Sequence, residues 1–387
     1  MFIQRDIAPK LIELSKLYPV VTITGPRQSG KTTLVKKTFP DIPYYSLEDP
    51  DIRELAINDP RGFLQKSSKK IILDEIQKVP ELLSYIQGIV DIDNISGQFI
   101  LTGSQQFELA AGINQSLAGR TALLKLLPLT VNEIESARKK YSIDEYLVNG
   151  FYPRIYDKKI DPTQTYKDYF ETYVQRDLKQ LINIKDLMSF RKFVKLCAGR
   201  TGQIFIASTL ANEVGVSVPT INSWISILEA SYIIFLLEPY YENIGKRLIK
   251  SPKIYFYDVG LASYLLGIEN TVQVSRDPLR GALVENLVIL ELIKNRFNQS
   301  KDHNLFFYRD KHKNEIDVII KSGHEIIPVE IKSSSTFHVD FLKGIDYISK
   351  IIPDRIKSSY VVYTGNIEQT IHSTSLINYK HLNEIRY

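Results

Sequence analysis

The stretch Gly25-Pro26-Arg27-Gln28-Ser29-Gly30-Lys31-Thr32 constrains the fold more than any other part of the chain. It follows the apolar run Val20-Val21-Thr22-Ile23-Thr24 and precedes the helix-compatible Thr33-Leu34-Val35-Lys36-Lys37. Glycine at both ends lets the backbone turn its N–H groups inward without side-chain clash, which makes a cradle for phosphate oxygens. The helix that follows presents its positive N-terminus to the same oxygens. In such a cradle Lys31 can reach the terminal phosphates of a nucleotide, the Thr32 hydroxyl can ligate Mg²⁺, and Thr33 closes the set of nucleotide contacts. Strand, loop and helix in this order predict an α/β fold built on a parallel P-loop sheet.

Two later segments point to the same sheet edge. Lys70-Ile71-Ile72-Leu73-Asp74-Glu75 reads as a buried strand ending in two acids, and in a parallel sheet that end faces the ligand crevice. Asp74 is expected to hold the Mg²⁺ shell together with Thr32, and Glu75 to polarise the attacking water. Gln98-Phe99-Ile100-Leu101-Thr102 reads as a further buried strand running into Gly103-Ser104, so Ser104 is the candidate γ-phosphate sensor. Ser116-Leu117-Ala118-Gly119-Arg120 ends in an arginine that either stabilises charge on a transferred phosphoryl group or is a surface residue after a helix C-cap glycine. An arginine acting in trans requires a homo-oligomer, and the sequence leaves cis and trans open.

A chain of 387 residues exceeds one ordinary core of roughly 100 to 200, so the expected division is 1–135, 136–265 and 266–387. With 49 Lys+Arg against 44 Asp+Glu, the charge permits nucleic-acid contact without arguing for it. The single Cys197 excludes an intrachain disulfide and a cysteine metal cage. No secretory pattern opens the chain and no run nears the roughly 18 apolar residues of a membrane span, so the expectation is a cytoplasmic protein without membrane contact.

The order Gly-Pro-Arg-Gln-Ser-Gly-Lys-Thr, Leu-Asp-Glu-Ile-Gln, Leu-Thr-Gly-Ser and Leu-Ala-Gly-Arg resembles the prokaryotic AAA-type ATPases that carry a DUF4143 domain at their C-terminal side. The similarity runs from Arg5 to about Ile345. It implies ATP binding and hydrolysis by the P-loop domain, with Arg120 at the family's Gly-Arg position.

Residues 136–265 carry a helix-turn-helix pattern. Ser208–Val214 fits a helix, Gly215-Val216-Ser217 a tight turn, and Val218–Glu229 a second helix, with Tyr232–Leu237 and Ile254–Tyr257 as wing strands. The second helix offers Ser217, Thr220, Asn222 and Ser223 but no Arg or Lys, leaving phosphate attraction to Lys246, Arg247, Lys250 and Lys253 of the wing. DNA binding and a packing or lid role both stay open for this winged-helix pattern.

The C-terminal segment places Glu285 in a mainly apolar helix, followed by strands Glu315–Ile320 and Glu325–Lys332. With Ser322-Gly323 as a two-residue turn, Asp317 lies one diagonal step from Glu330, and Lys332 shares that face. Two carboxylates there can hold Mg²⁺, Glu285 can complete the shell, and Lys332 can position or deprotonate a water for attack on a phosphodiester. The spacing Glu285, Asp317, Glu330-x-Lys332 resembles the PD-(D/E)XK nuclease superfamily. That resemblance implies a restriction-endonuclease-like α/β domain, serving either to cleave DNA or as a platform that has lost activity. Two functions follow: an ATPase whose nucleotide state controls nucleic-acid engagement with Mg²⁺-dependent cleavage, or a regulatory ATP switch or protein-remodelling ATPase with a non-catalytic docking domain.

Overall fold

The computed structural model describes residues 2–65, 69–104, 116–137, 140–174, 186–240 and 250–385. These form two compact units, the first made of residues 1–129 with 230–232 and 296–302, the second of the remainder. Most of 136–265 and of 266–387 falls in the second unit, with 230–232 and 296–302 in the first.

The first unit is a five-stranded sheet of β1 (Val20–Thr24), β2 (Tyr44–Ser46), β3 (Ile71–Asp74), β4 (Phe99–Gly103) and β5 (Thr121–Lys125), in the order β2-β3-β4-β1-β5. Every neighbouring pair is parallel. Strand side chains alternate between faces, and both faces here are covered, which is why the strands read as continuous apolar runs. Val20, Leu73, Phe99 and Leu101 pack on one side with Leu82, Leu83, Ile86 and Val90. Val21, Ile23, Ile72, Ile100 and Leu124 pack on the other with Leu11, Leu14, Leu34 and Val35. The helices supplying those side chains are α1 (Ala8–Leu17), α2 (Lys31–Thr38) and α3 (Leu82–Asp93). Each fully buried aliphatic side chain contributes about 1.5–3 kcal/mol to holding sheet and helices together.

In the second unit, α4 (Leu187–Ala198), α5 (Ala207–Val214) and α6 (Val218–Ala230) precede an antiparallel ribbon of β6 (Ile234–Leu237) and β7 (Lys253–Phe256). Gly215 ends α5 at φ +88°, a left-handed conformation that glycine adopts without strain. Trp224 of α6 packs edge-on against Phe190 of α4, 5.3 Å between ring centroids. The elements thus follow the expected helix-turn-helix and ribbon order, and residue 204 adds a bridge to β7 through Ile204 and Lys253. Of the four wing cations, Lys246 and Arg247 lie outside the described residues, Lys250 is exposed and Lys253 is buried.

The C-terminal part of this unit begins with α7 (Arg280–Asn298) and continues through β8 (Leu305–Arg309), β9 (Glu315–Ser322), β10 (Glu325–Lys332), α8 (Lys343–Ile351), β11 (Ser359–Tyr363), β12 (Gln369–Ile371) and β13 (Thr374–Asn378). The strands form one mixed sheet in the order β12-β13-β11-β10-β9-β8. One face is covered by Leu342, Ile345 and Ile348 packed on Ile316, Ile319, Ile326 and Val361. The expected hairpin forms with a different turn: Ser322 pairs with Glu325, so the turn is Gly323-His324, with Gly323 at φ +63°. The register therefore moves by two residues and every side chain keeps its face. Continuing the ladder one step past Val329 and Val318 sets Glu330 directly across from Asp317. Among the described residues no helix is long and apolar enough to cross a membrane.

Candidate functional site

The loop between β1 and α2 is shaped by backbone geometry that its sequence allows. Gly25 has φ +148°, and a Cβ there would meet the Leu126 carbonyl oxygen at 2.1 Å, so only glycine fits between β1 and the residue following β5. Gly30 at φ +95° and Gln28 at φ +62° turn the chain into α2. A buried arginine, Arg5, donates from Nη1 to the Ser29 carbonyl at 2.7 Å and from Nη2 to the Leu127 carbonyl at 2.6 Å, fastening the loop from behind. The Ser29 hydroxyl is buried with no hydrogen-bond partner among the described residues.

Lys31 lies across the loop and donates to the Gly25 carbonyl at 2.9 Å and to the Pro26 carbonyl at 2.8 Å. Burial pulls its ammonium down to about 8, against the opposing attraction of Glu75 and Asp74. Pro26 is buried, Arg27 half-buried, and Thr33 exposed on the first turn of α2. The leading amides of α2 lack intrahelical acceptors, as in any helix. This donor set fits a triphosphate: free amides, one ammonium held beside them, and no carboxylate inside the loop itself.

The strand-end acids lie where the parallel sheet was expected to bring them. Thr32 Oγ1 donates to Asp74 Oδ2 at 2.9 Å, joining the helix after the loop to the end of β3. Tyr44 OH donates to the same oxygen at 2.6 Å, and Thr102 Oγ1 donates to Asp74 Oδ1. Burial, with the Asp74 bond second, holds the Tyr44 hydroxyl above its ordinary range. A hydroxyl and a carboxylate in contact are the donor chemistry of a hard divalent cation, so Mg²⁺ fits this pair. Glu75 sits at φ +57°, and its carboxylate accepts from Ser104 Oγ at 2.9 Å and from Gln77 Nε2. Ser104 is thus brought to Glu75. Arg5, Tyr44, Gln77 and Thr102 were not singled out in the sequence; Thr102, two residues before Ser104 on the same strand face, was the most readable of them.

Arg120 lies elsewhere. It precedes β5, and β5 runs parallel to β1 with Val20 beside Thr121, so Arg120 is at the edge of the sheet opposite the loop. The five residues of β1, at about 3.3 Å each, put it roughly 16 Å from the phosphate cradle of its own chain. There it pairs with Asp91 at 2.5 Å. A role in cis, one of the two openings the sequence allowed, does not fit this placement.

The C-terminal acids and lysine converge, with an unexpected occupant. Lys332 Nζ is 2.6 Å from Glu330 and 3.6 Å from Asp317, and Asp317 also accepts from the Ile331 amide at 2.8 Å. Burial first, then Asp317, pushes the Glu330 carboxyl up to about 8. Glu285, on α7, is bound by Lys253 at 3.0 Å and by the Tyr255 hydroxyl. Lys253 also reaches Glu315 at 2.6 Å. Burial lowers the Lys253 pKa, but Glu285, Asp317 and Glu315 outweigh it and hold the group above the ordinary lysine range. Glu285, Asp317 and Glu330, expected to enclose Mg²⁺, each have one oxygen facing an ammonium group: Lys253 on Glu285, and Lys332 on Asp317 and Glu330. The signal missed was Glu315, two residues before Asp317 on the same strand.

Residues 17–135 match the model of an AAA domain, residues 140–272 that of a domain of unknown function (DUF8612), and residues 280–382 that of another, DUF4143. The uncharacterized protein Rv2008c of Mycobacterium tuberculosis is 32% identical over 337 residues, covering 86% of this chain and 74% of the relative. The uncharacterized protein MJ1637 of Methanocaldococcus jannaschii is 22% identical over 415 residues, covering 92% of this chain and 85% of the relative. Among solved structures, the Walker-type ATPase PABY2304 of Pyrococcus abyssi aligns at 14% identity and a TM-score of 0.46, covering 68% of this chain and 96% of that one. With its P-loop domain followed by DUF4143, the chain belongs to the family of AAA-type ATPases that carry this domain at their C-terminal side.

Proposed function

We propose that the chain is an ATP-hydrolysing switch whose second unit docks a partner according to nucleotide state. The observation that carries the reading is the Thr32–Asp74 hydrogen bond of 2.9 Å, which sets the cation-binding pair beside the loop that holds Lys31. Mg²⁺ on Thr32 and Asp74 would neutralise charge between the β- and γ-phosphates. Gly25 to Thr33 bind the phosphates, and Lys31 exchanges its loop carbonyls for phosphate oxygens. Glu75 accepts a proton from water as that water's oxygen bonds to the γ-phosphorus. The bond from that phosphorus to the β–γ bridging oxygen breaks, leaving ADP and phosphate. Ser104, bonded to Glu75, is placed to report whether the γ-phosphate is present.

The division 1–135, 136–265 and 266–387 assigns hydrolysis to the first segment and docking to the other two, a reading supported by the matched spans. Docking without cleavage is favoured over nucleic-acid processing by two features. The exposed positions Ser217, Asn222 and Ser223 of the helix-turn-helix are uncharged, and Lys253, counted among the wing cations, is buried against acids. These positions therefore add nothing to phosphate attraction, the main source of affinity in such modules.

Turnover and nucleotide binding of the full chain test the reading together. Wild type hydrolyses ATP, Glu75→Gln binds it without turnover, and Lys31→Ala does neither; turnover persisting in Lys31→Ala refutes the site. Added duplex or single-stranded DNA leaves the wild-type rate unchanged, and clear stimulation would restore the nucleic-acid reading.

A further inference from the structure

The buried lysine on β7 has a consequence for the C-terminal acids that goes beyond the nucleotide site and is independent of it. Four carboxylates, those of Glu285, Glu315, Asp317 and Glu330, meet the ammonium groups of Lys253 and Lys332, with Arg309 a further 3.4 Å from Glu315. We propose that this cluster carries Lys253 as its resident cation in place of a divalent metal, so that the nuclease-like domain does not cleave phosphodiesters.

The geometry is that of a filled site. The Lys253 side chain is 2% exposed and bridges acids from two different elements, Glu285 of α7 at 3.0 Å and Glu315 of β9 at 2.6 Å. Tyr255, two residues along the same strand and therefore on the same side, donates its hydroxyl to Glu285 as well. Mg²⁺ demands oxygens at about 2.0–2.1 Å in near-octahedral array. One oxygen of each of Glu285, Asp317 and Glu330 already faces an ammonium group, and the Tyr255 phenol donates to that same oxygen of Glu285. Lys332 occupies the remaining side through Glu330.

Vacating the site would require β7 to move, and its backbone is held on both edges. One edge pairs with β6 from Ile234 opposite Phe256 to Leu237 opposite Lys253. On the other, the buried Asn286 side chain accepts from the Phe256 amide at 2.9 Å and donates to its carbonyl at 2.8 Å. The Ile254 amide donates to the Gln203 carbonyl at 3.0 Å. A flexible lysine that swings away alone would leave several acids facing one another without a counter-charge, an arrangement that buried charges do not tolerate.

Mn²⁺ uptake followed by electron paramagnetic resonance tests this on the nucleotide-free full chain in a Thr32→Ala background, which removes the metal ligand of the phosphate loop. The parent is expected to take up no stoichiometric Mn²⁺. Lys253→Met, or Lys253→Gln where the first does not fold, gains about one equivalent, and adding Asp317→Asn removes it. One equivalent bound by the parent and lost on Asp317→Asn overturns the proposal, as does a folded Lys253 variant that gains none. Supercoiled plasmid incubated with wild type and Mg²⁺ stays intact; nicking that disappears in Lys332→Ala overturns it equally. Because no nucleotide enters either assay, failure of the ATP reading leaves this one standing, and the reverse holds too.

Discussion

Replacing Arg5 with methionine keeps the volume of the side chain and deletes both of its bonds to the loop region. Arg5 is 5% exposed, so solvent screening removes little from its hydrogen bonds to the carbonyls of Ser29 at 2.7 Å and Leu127 at 2.6 Å. A hydrogen bond from a charged donor contributes about 1.5–3 kcal/mol, and an acceptor left buried without it carries a penalty of about 1–3 kcal/mol. Only the Ser29 bond bears directly on the shape of the phosphate loop. Its loss, at about 1.5–3 kcal/mol, should weaken ATP binding by about 10- to 100-fold at 1.4 kcal/mol per tenfold. The upper end holds if the loop relaxes fully, the lower if bound phosphate re-forms it. Both bonds together lower stability by about 3 kcal/mol or more. Calorimetric titration with Mg-ATP and a thermal melt of the same preparation separate the two effects. Arg5→Lys, which can keep one of the bonds, should fall between wild type and Arg5→Met. A folded Arg5→Met that binds ATP as tightly as wild type would refute the idea that this arginine shapes the loop.

Two further outcomes follow from placement. Arg120→Ala should leave ATP affinity unchanged and alter turnover only where specific activity rises with protein concentration; lost turnover in dilute monomer would return this arginine to its own nucleotide. Cys197 is fully buried, and burial raises its thiol well above the ordinary range, so it should be inert to thiol reagents in native buffer and react in step with unfolding; prompt labelling of the folded chain would contradict the packing of α4.

The sequence announced the first unit clearly because its signals are local and agree with one another. A β-branched run, two glycines that only a phosphate loop needs and acids at a strand end each imply the same parallel sheet. What it concealed was long-range. Arg5 precedes its partner Ser29 by 24 residues, and nothing local marks that target. Tyr44 reads as an ordinary strand aromatic, and its bond to Asp74 exists only because β2 lies beside β3. In the second unit the carboxylate face was legible from period-two alternation, which also explains why a turn misplaced by one position left Asp317, Glu330 and Lys332 together. Lys253 could not be recognised as their partner, since a lysine near a presumed wing has the composition of a surface cation and its burial is a property of tertiary packing alone. The last strands, Gln369–Ile371 and Thr374–Asn378, are short and largely polar, and escaped notice for that reason.

Thr102 gives the nucleotide site a mechanical property of its own. Its hydroxyl donates to Asp74, while the Glu75 amide donates to it at 3.3 Å, so a single oxygen on β4 is shared by the neighbouring acids of β3. A displacement of β4 would carry the Asp74 carboxylate, the Glu75 backbone and, through its own bond to Glu75, Ser104 two residues further on. One hydroxyl on β4 thus ties the carboxylate of Asp74 to the backbone that carries Glu75, so the two are held by a strand rather than by a loose side chain.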